Sequence, residues 1–174
     1  MDTLEAILTR RSVRKYQDRM VEPERLQMLL KAAMSAPSAL NEQPWQFVVI
    51  NDRSLFEKIM QVYPYAGMLK SAPLAILICG DLGLEKASGN WVLDCSCAAQ
   101  NLLLAAHAIG LGAVWSGIYP ETDRMEALSS LLNLPDWVRP LALVGIGYPD
   151  GVPPTPPERF RPERIRINDW NVRF

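Results

Sequence analysis

Apolar positions along this chain repeat with two periods, and the switches between them mark out the elements. Leu4, Ile7 and Leu8 lie three and four residues apart behind Asp2-Thr3-Leu4-Glu5. That is a capping-box pattern, in which Asp2 accepts from the first turn and Glu5 reaches back. It predicts a short helix ending near Arg10. Pro23 suits the first position of a second helix, with Leu26, Leu29, Leu30 and Ala33 as its apolar stripe and Pro37 as its stop. Ser54-Leu55-Phe56-Glu57 predicts another capping box, opening a helix that ends before Pro64. Met125, Leu128, Leu131 and Leu132 define a further helix. Residues 47–50, 74–79, 113–115 and 141–147 lack the helical period and read as strands. The run 74–79 is wholly aliphatic, which predicts a central strand covered on both faces. Residues 90–109 form a long helix that is apolar nearly all round, the pattern of a helix buried on most sides.

Helices and strands alternate without an internal repeat or linker through the first 150 residues, so the class is α with β around one layered sheet. Four prolines in 151–157 end the compact part. The arginine-rich tail 158–174 carries Trp170 and is too apolar for a simple solvated tail. Length agrees with one domain, since 174 residues, 49% of them apolar, can build a real core. Net charge of −1 gives no general attraction to nucleic acid or anionic membrane, so any anion site must come from a local cluster. The chain's three cysteines, Cys79, Cys95 and Cys97, argue against a disulfide framework. Cys95 and Cys97 are two apart on a helix and point to different faces. With His107 the only histidine, a zinc site is poorly supplied. The N-terminus has no basic stretch followed by an apolar run, so no signal peptide is expected and a cytoplasmic location follows. The apolar stretch 91–111 carries Asp94, Gln100, Asn101 and His107, too polar for a membrane span.

Four segments have the composition of ligand sites. Arg10-Arg11-Ser12-Val13-Arg14-Lys15-Tyr16 places four cations and a hydroxyl within seven residues, suited to phosphate through paired guanidinium hydrogen bonds. A solvated basic helix end would look the same. Pro37-Ser38-Ala39-Leu40-Asn41-Glu42-Gln43-Pro44-Trp45 has more amide and hydroxyl groups than a turn needs, and Asn41 and Gln43 can each donate and accept along a heterocycle edge. Its plain alternative is a proline-bounded turn with Trp45 as a core plug. Gly110-Leu111-Gly112-Ala113-Val114-Trp115-Ser116-Gly117 lets backbone approach a ligand, but Trp115 stands where a dinucleotide fingerprint needs glycine. Glu158-Arg159-Phe160-Arg161-Pro162 is a second basic spot. His107 reads as a packed or helix-end residue and Asp94 as a carboxylate bonded within its helix or to a cap. So few acid–base candidates, beside several cofactor-shaped segments, point to chemistry carried by a cofactor.

In this order and spacing the segments resemble the nitroreductase family of FMN-dependent oxidoreductases, from Arg10-Arg11-Ser12 through the Pro37–Trp45 segment and the 110–115 stretch to Gly147-Tyr148-Pro149 and the Arg161-Pro162 tail. The resemblance implies an α+β fold, a nitroreductase-like mixed β-sheet flanked by helices. It implies an intertwined homodimer with a long central helix at the interface. One FMN-binding domain would span 1–174, with 151–174 a C-terminal extension wrapping the partner. Carried over by position, Arg10, Ser12 and Arg14 are expected on the FMN phosphate and ribityl chain. Arg11 is expected at the pyrimidine edge, where it or main-chain N–H groups would stabilise negative charge on the reduced flavin. Pro37, Ser38, Ala39 and Asn41 would reach the flavin from the other subunit, and Trp115, Ser116 and Gly117 would lie along the isoalloxazine. Arg159 and Arg161 are the tail cations for the phosphate. The stretch 63–90 is short where larger relatives carry an insertion over the flavin. The implied activity is ping-pong reduction of a small electron-poor acceptor, such as a nitroaromatic or quinone, by NAD(P)H through FMN. A free-flavin reductase, another flavin-using enzyme of the superfamily and a non-catalytic flavin-binding dimer are the alternatives.

Overall fold

The structure is a computed structural model and describes residues 1–173. Strand β1 (Trp45–Ile50) leads through helix α3 (Arg53–Val62) to β2 (Leu74–Asp81), in which every residue but Asp81 is buried. Helix α4 (Trp91–Ala108) then crosses to β3 (Gly112–Gly117), and α5 (Thr122–Leu131) leads to β4 (Val138–Gly147). The strands lie in the order β1-β2-β4-β3, each antiparallel to its neighbour. A parallel component enters only at the edge, as an isolated bridge between Ser12 and Ala113.

Alternation along β2 explains why its sequence is continuously aliphatic. Leu74, Ile76 and Ile78 face one core with Ala142, Val144 and Ile146 of β4, under α4 and α2 (Pro23–Met34). Ala75, Leu77 and Cys79 face a second core with Phe56, Ile59 and Leu128, under α3 and α5. Both faces are covered, so neither side of the strand has a position for a polar residue. Each fully buried Leu or Ile contributes about 1.5–3 kcal/mol relative to exposure. Burial pushes the thiols of Cys79 and Cys95 up to about 12, and Cys95 Sγ lies 3.3 Å from the Cys79 carbonyl. Cys97 is exposed, on the opposite face of α4 from Cys95.

Three details differ from the sequence reading. Asp52, not Ser54, caps α3: its carboxylate accepts the Ser54 N–H at 2.8 Å, and the helix starts two residues earlier, at Arg53. An aspartate that reaches the first free amide is as good a cap as serine and was closer to it. Helix α4 is buried toward the sheet but leaves Leu93 63% exposed, with Cys97 and Gln100 on the same open stripe. In the tail, β5 (Arg166–Ile167) and β6 (Asp169–Arg173) form a small hairpin, with Asn168 in the left-handed region at its turn. Trp170 stands 79% exposed there, with the Arg166 guanidinium 5.1 Å from its ring.

Helix α1 (Thr3–Thr9) is capped by Asp2, which accepts the Leu4 N–H at 2.9 Å, and it lies against α4. Thr9 Oγ1 sits 2.8 Å from His107 Nε2, so the imidazole is a packing and hydrogen-bonding residue at the end of α4. Among the described residues no helix is long and apolar enough to cross a membrane.

Two predictions follow from packing and burial. A Cβ on Gly147 would stand 2.7 Å from Pro73 Cδ and 3.0 Å from Tyr16 Cδ1, and one on Gly112 would stand 2.7 Å from Val13 Cβ. Proline and valine cannot move aside cheaply, so Gly147→Ala and Gly112→Ala should each cost about 1–3 kcal/mol in urea denaturation. Burial, with Arg10 nearby, holds His107 below its ordinary value of 6.5. The unfolded chain therefore takes up this proton first as pH falls. The stability contribution is complete above 6.5 and declines below it. His107→Gln should flatten the decline in urea midpoint just below that pH, and an unchanged slope would show that His107 is not its source.

Candidate active site

After α1 the chain does not trail into solvent. Val13 N–H donates to the Ala113 carbonyl at 3.0 Å, Gln17 N–H to the Tyr148 carbonyl at 2.9 Å, and Asp150 N–H to the Lys15 carbonyl at 3.1 Å. Tyr16 pairs with Pro149. The basic motif is thus extended chain laced along β3 and the end of β4. A solvated helix end needs no such lacing. Tyr16 is the anchor, 5% exposed, its hydroxyl donating to the Val13 carbonyl with the Gly145 carbonyl at 3.0 Å as the alternative acceptor. Its burial raises the phenol pKa.

On this rigid backbone the cations gather without an anion. Arg10 is held below the ordinary arginine value, first by burial and then by the charges of Arg159 and Arg11. Arg11 Nε donates to the Pro154 carbonyl at 3.3 Å, while its buried Nη2 has no partner. Ser12, Arg14 and Lys15 are exposed beside them. Among the described residues the only ion pairs are those of Glu22 with Arg19 at 2.7 Å and Arg25 at 3.3 Å. An orphaned guanidinium nitrogen and a cluster of like charges fit a phosphate-bearing flavin, whose oxygens accept from several such donors. Of the two tail cations, Arg159 meets the cluster, while Arg161 donates to the Phe160 carbonyl at 3.0 Å.

Arg14 is the hinge of the cavity system. It lines a cleft of about 190 Å³ with Ser12 and Pro149–Pro154. It also lines one of about 470 Å³ with Tyr65, Lys70 and Ser71, and one of about 400 Å³ with Tyr63, Trp115, Ser116, Gly117 and Arg124. Tyr63 donates to the Gly117 carbonyl at 2.7 Å, which fixes the end of β3, and the Arg124 guanidinium lies 4.8 Å from the Tyr65 ring. A roomier cavity, about 710 Å³ between α5 and Arg139, contains none of the expected site residues. Spaciousness alone does not make it the better candidate, because its lining mixes Glu126 and Asp136 with Arg139 and shows no gathered charge.

The Pro37–Trp45 segment has a different character. Trp45 is indeed a core plug, 7% exposed. The preceding turn is strained: Leu40, Asn41 and Gln43 all have positive φ, at 48°, 53° and 49°. Asparagine tolerates this region, but leucine and glutamine do so only at a cost, of order 1–3 kcal/mol each. Ser38 Oγ accepts the Gln43 N–H at 3.0 Å and closes the turn. Asn41 and Gln43 are left exposed.

One protomer does not bring these two segments together. The turn opens β1 at one edge of the sheet, and the cations lie along β3 at the other edge. Three interstrand steps, about 14 Å, separate the edges. The β1 start pairs with Gly80, whereas the basic motif meets the opposite ends of β3 and β4. Sequence reasoning did not single out Tyr63, Tyr65, Lys70 or Arg124. Tyr63-Pro64-Tyr65 was visible as a bulky break between helix and strand, but Arg124 had no signal, since a cation on an exposed helix face is ordinary.

This chain matches the sequence profile of the nitroreductase family over residues 7–63 and 55–148. It is 52% identical over 170 residues to a Methanothermobacter thermautotrophicus protein named as a candidate NADH dehydrogenase/NAD(P)H nitroreductase, across 98% of this chain and 88% of that one. Among solved structures, a Parabacteroides distasonis protein of the same name aligns with a TM-score of 0.92 at 45% identity, over 97% and 98% of the two chains. A candidate nitroreductase from Desulfovibrio desulfuricans, solved in complex with FMN, aligns with a TM-score of 0.79 at 31% identity, over 93% and 92%. By sequence and by fold, the chain belongs to the nitroreductase family.

Proposed function

We propose that this protein is an FMN-dependent oxidoreductase that uses NAD(P)H to reduce small electron-poor molecules such as nitroaromatics and quinones. The observation that carries the reading is the uncompensated cluster of Arg10 and Arg11, beside a backbone fixed to the sheet edge, with the tail's Arg159. The relatives support it: one is named for NAD(P)H and nitro reduction, and another was solved with FMN.

FMN, when bound, would supply the redox chemistry between NAD(P)H and an acceptor that occupies the same place in turn. Every other task falls to the chain. Arg10, Ser12, Arg14 and Arg159 hold the phosphate and ribityl chain, with Arg161 as a second tail cation. Arg11 offers its unpartnered Nη2 to the pyrimidine side, where negative charge develops on reduction. A preorganised donor of this kind is typically worth about 3 kcal/mol in the transition state. Trp115, Ser116 and Gly117 flank the ring, and the Tyr65 face in the adjoining cavity suits a flat aromatic acceptor.

The working unit is a homodimer in which Pro37, Ser38, Ala39 and Asn41 of one subunit meet the flavin held by the other. Their placement at the far edge of the protomer's own sheet supports this. So does the bare apolar surface: Leu93 of α4, Leu4 and Leu8 of α1, Leu40 of the turn, and Phe160 and Trp170 of the tail are each more than half exposed. Residues 151–174 act as the extension that wraps the partner, and the rest forms the FMN-binding domain.

Purified protein should be yellow, and NADH or NADPH should bleach it without oxygen. A colourless protein that cannot be reconstituted with FMN would sink the proposal. Arg14→Ala should weaken FMN binding about tenfold or more, the worth of a charge-assisted hydrogen bond, with the dimer mass unchanged by light scattering.

A further inference from the structure

The strained turn is gripped by two buried carboxyls that the proposed chemistry does not use. Asp94 of α4 is 5% exposed, and its Oδ1 accepts the Ala39 N–H at 3.0 Å. Glu42, inside the turn, is 7% exposed, and its Oε2 accepts the N–H groups of Lys86 at 2.6 Å and Ala87 at 3.0 Å. One oxygen of each is buried without a donor, Asp94 Oδ2 and Glu42 Oε1. Two ionised carboxylates so placed would repel and leave both oxygens unsatisfied. A single proton between them removes both penalties, as a neutral Asp94 donating to an ionised Glu42. The shifts agree. Burial raises Asp94 and the Lys86 amide lowers Glu42, and the influence of each carboxyl on the other is opposite in sign, raising Asp94 and lowering Glu42.

We propose that Asp94 and Glu42 are positioning residues: as a one-proton carboxyl pair they clamp the Ala39–Gln43 turn between α4 and residues 86–87 and so hold Asn41 in the conformation that meets the flavin. The turn needs such a clamp. Three non-glycine residues with positive φ relax unless the surroundings over-determine them. The local bonds of Ser38 close the turn on itself but tie it to nothing else. Asp94 ties it to the helix, and Glu42 ties it to the loop before that helix. That loop is braced in turn by Glu85, whose Oε1 accepts the N–H groups of Gly89 at 2.8 Å and Trp91 at 3.0 Å.

The titratable groups facing the pair are Glu85 and Lys86 on that loop and the Cys95 thiol beside Asp94. Lys86 favours the ionised Glu42 and Glu85 disfavours an ionised Asp94, so both keep the proton on Asp94. A raised Asp94 binds its proton more tightly in the folded state. The grip is therefore full below the folded Asp94 value and is lost as pH rises through it. At the acid end the grip weakens as pH falls through the lowered Glu42 value.

The assignment rests on the flavin reading for its functional consequence but not for the clamp itself, and two measurements keep them apart. The first is amide hydrogen exchange at residues 39–43 in cofactor-free protein. The second is FMN affinity by flavin fluorescence across pH. Asp94→Ala should speed exchange at Ala39 and weaken FMN binding, each by about tenfold, the usual effect of losing a buried hydrogen bond. Asp94→Asn keeps an acceptor for Ala39 and carries a permanent donor toward Glu42. It should restore wild-type exchange and affinity and abolish the loss of affinity at high pH. It also carries the test should the alanine variant fail to fold. Unchanged exchange in Asp94→Ala, or an Asp94→Asn variant with the wild-type pH profile, overturns the clamp. Faster exchange in a protein whose wild type binds no FMN upholds the clamp and overturns the flavin reading instead.

Discussion

Like charges separate unless something holds them, and Arg10 and Arg11 are held. The backbone of residues 12–17 cannot drift, because it is hydrogen-bonded to β3 and β4 and pinned by the buried Tyr16. Gly112 and Gly147 remove the side chains that would keep it at a distance. The cost of gathering guanidiniums at the edge of a low-dielectric core is therefore met by the sheet before any ligand arrives. A phosphate bound there, as proposed, would meet donors already aimed and lose little to reorganisation. This is preorganisation in the sense that governs both cofactor affinity and transition-state stabilisation.

The same logic appears in reverse at the other edge of the sheet. There the turn from Ser38 to Gln43 stores strain and presents Asn41 and Gln43 outward, exposed to solvent. Strain of this kind persists where the surroundings insist on it, here through Asp94 and Glu42. On the proposed function, a protomer would carry half of a site at each edge. On the proposed dimer, association through the bare apolar stripe of α4 and the tail would join the halves.

Much of the architecture was legible in the sequence. The aliphatic run of β2 had one physical solution, a central strand with both faces covered, and it took it. Asp2 before a helical period, Pro23 at a helix start and the glycines around 110–112 marked boundaries within a residue or so. Local chemistry decides such features, since a cap or a period depends on residues three or four apart. The cap of α3 was misplaced only because two capping residues compete within three positions. The order of motifs identified the family, which no single motif did.

What the sequence determined by itself was the inventory: which segments are helix or strand, which stretches carry cations or amides, and the family in which that order occurs. The tertiary structure alone decided which of these meet. It separated the cationic motif from the amide turn across the width of the sheet, chose Arg159 over Arg161 as the neighbour of Arg10, and brought Tyr65 and Arg124 into the cavity beside Trp115. It also set Asp94, read from the sequence as a carboxylate bonded within its helix or to a cap, on the Ala39 N–H of a turn 55 positions earlier in the chain. The reason is physical. Capping and periodicity act over one turn of chain, whereas a charge or a buried oxygen responds to whatever the fold places within a few ångströms, and sequence separation does not measure that distance.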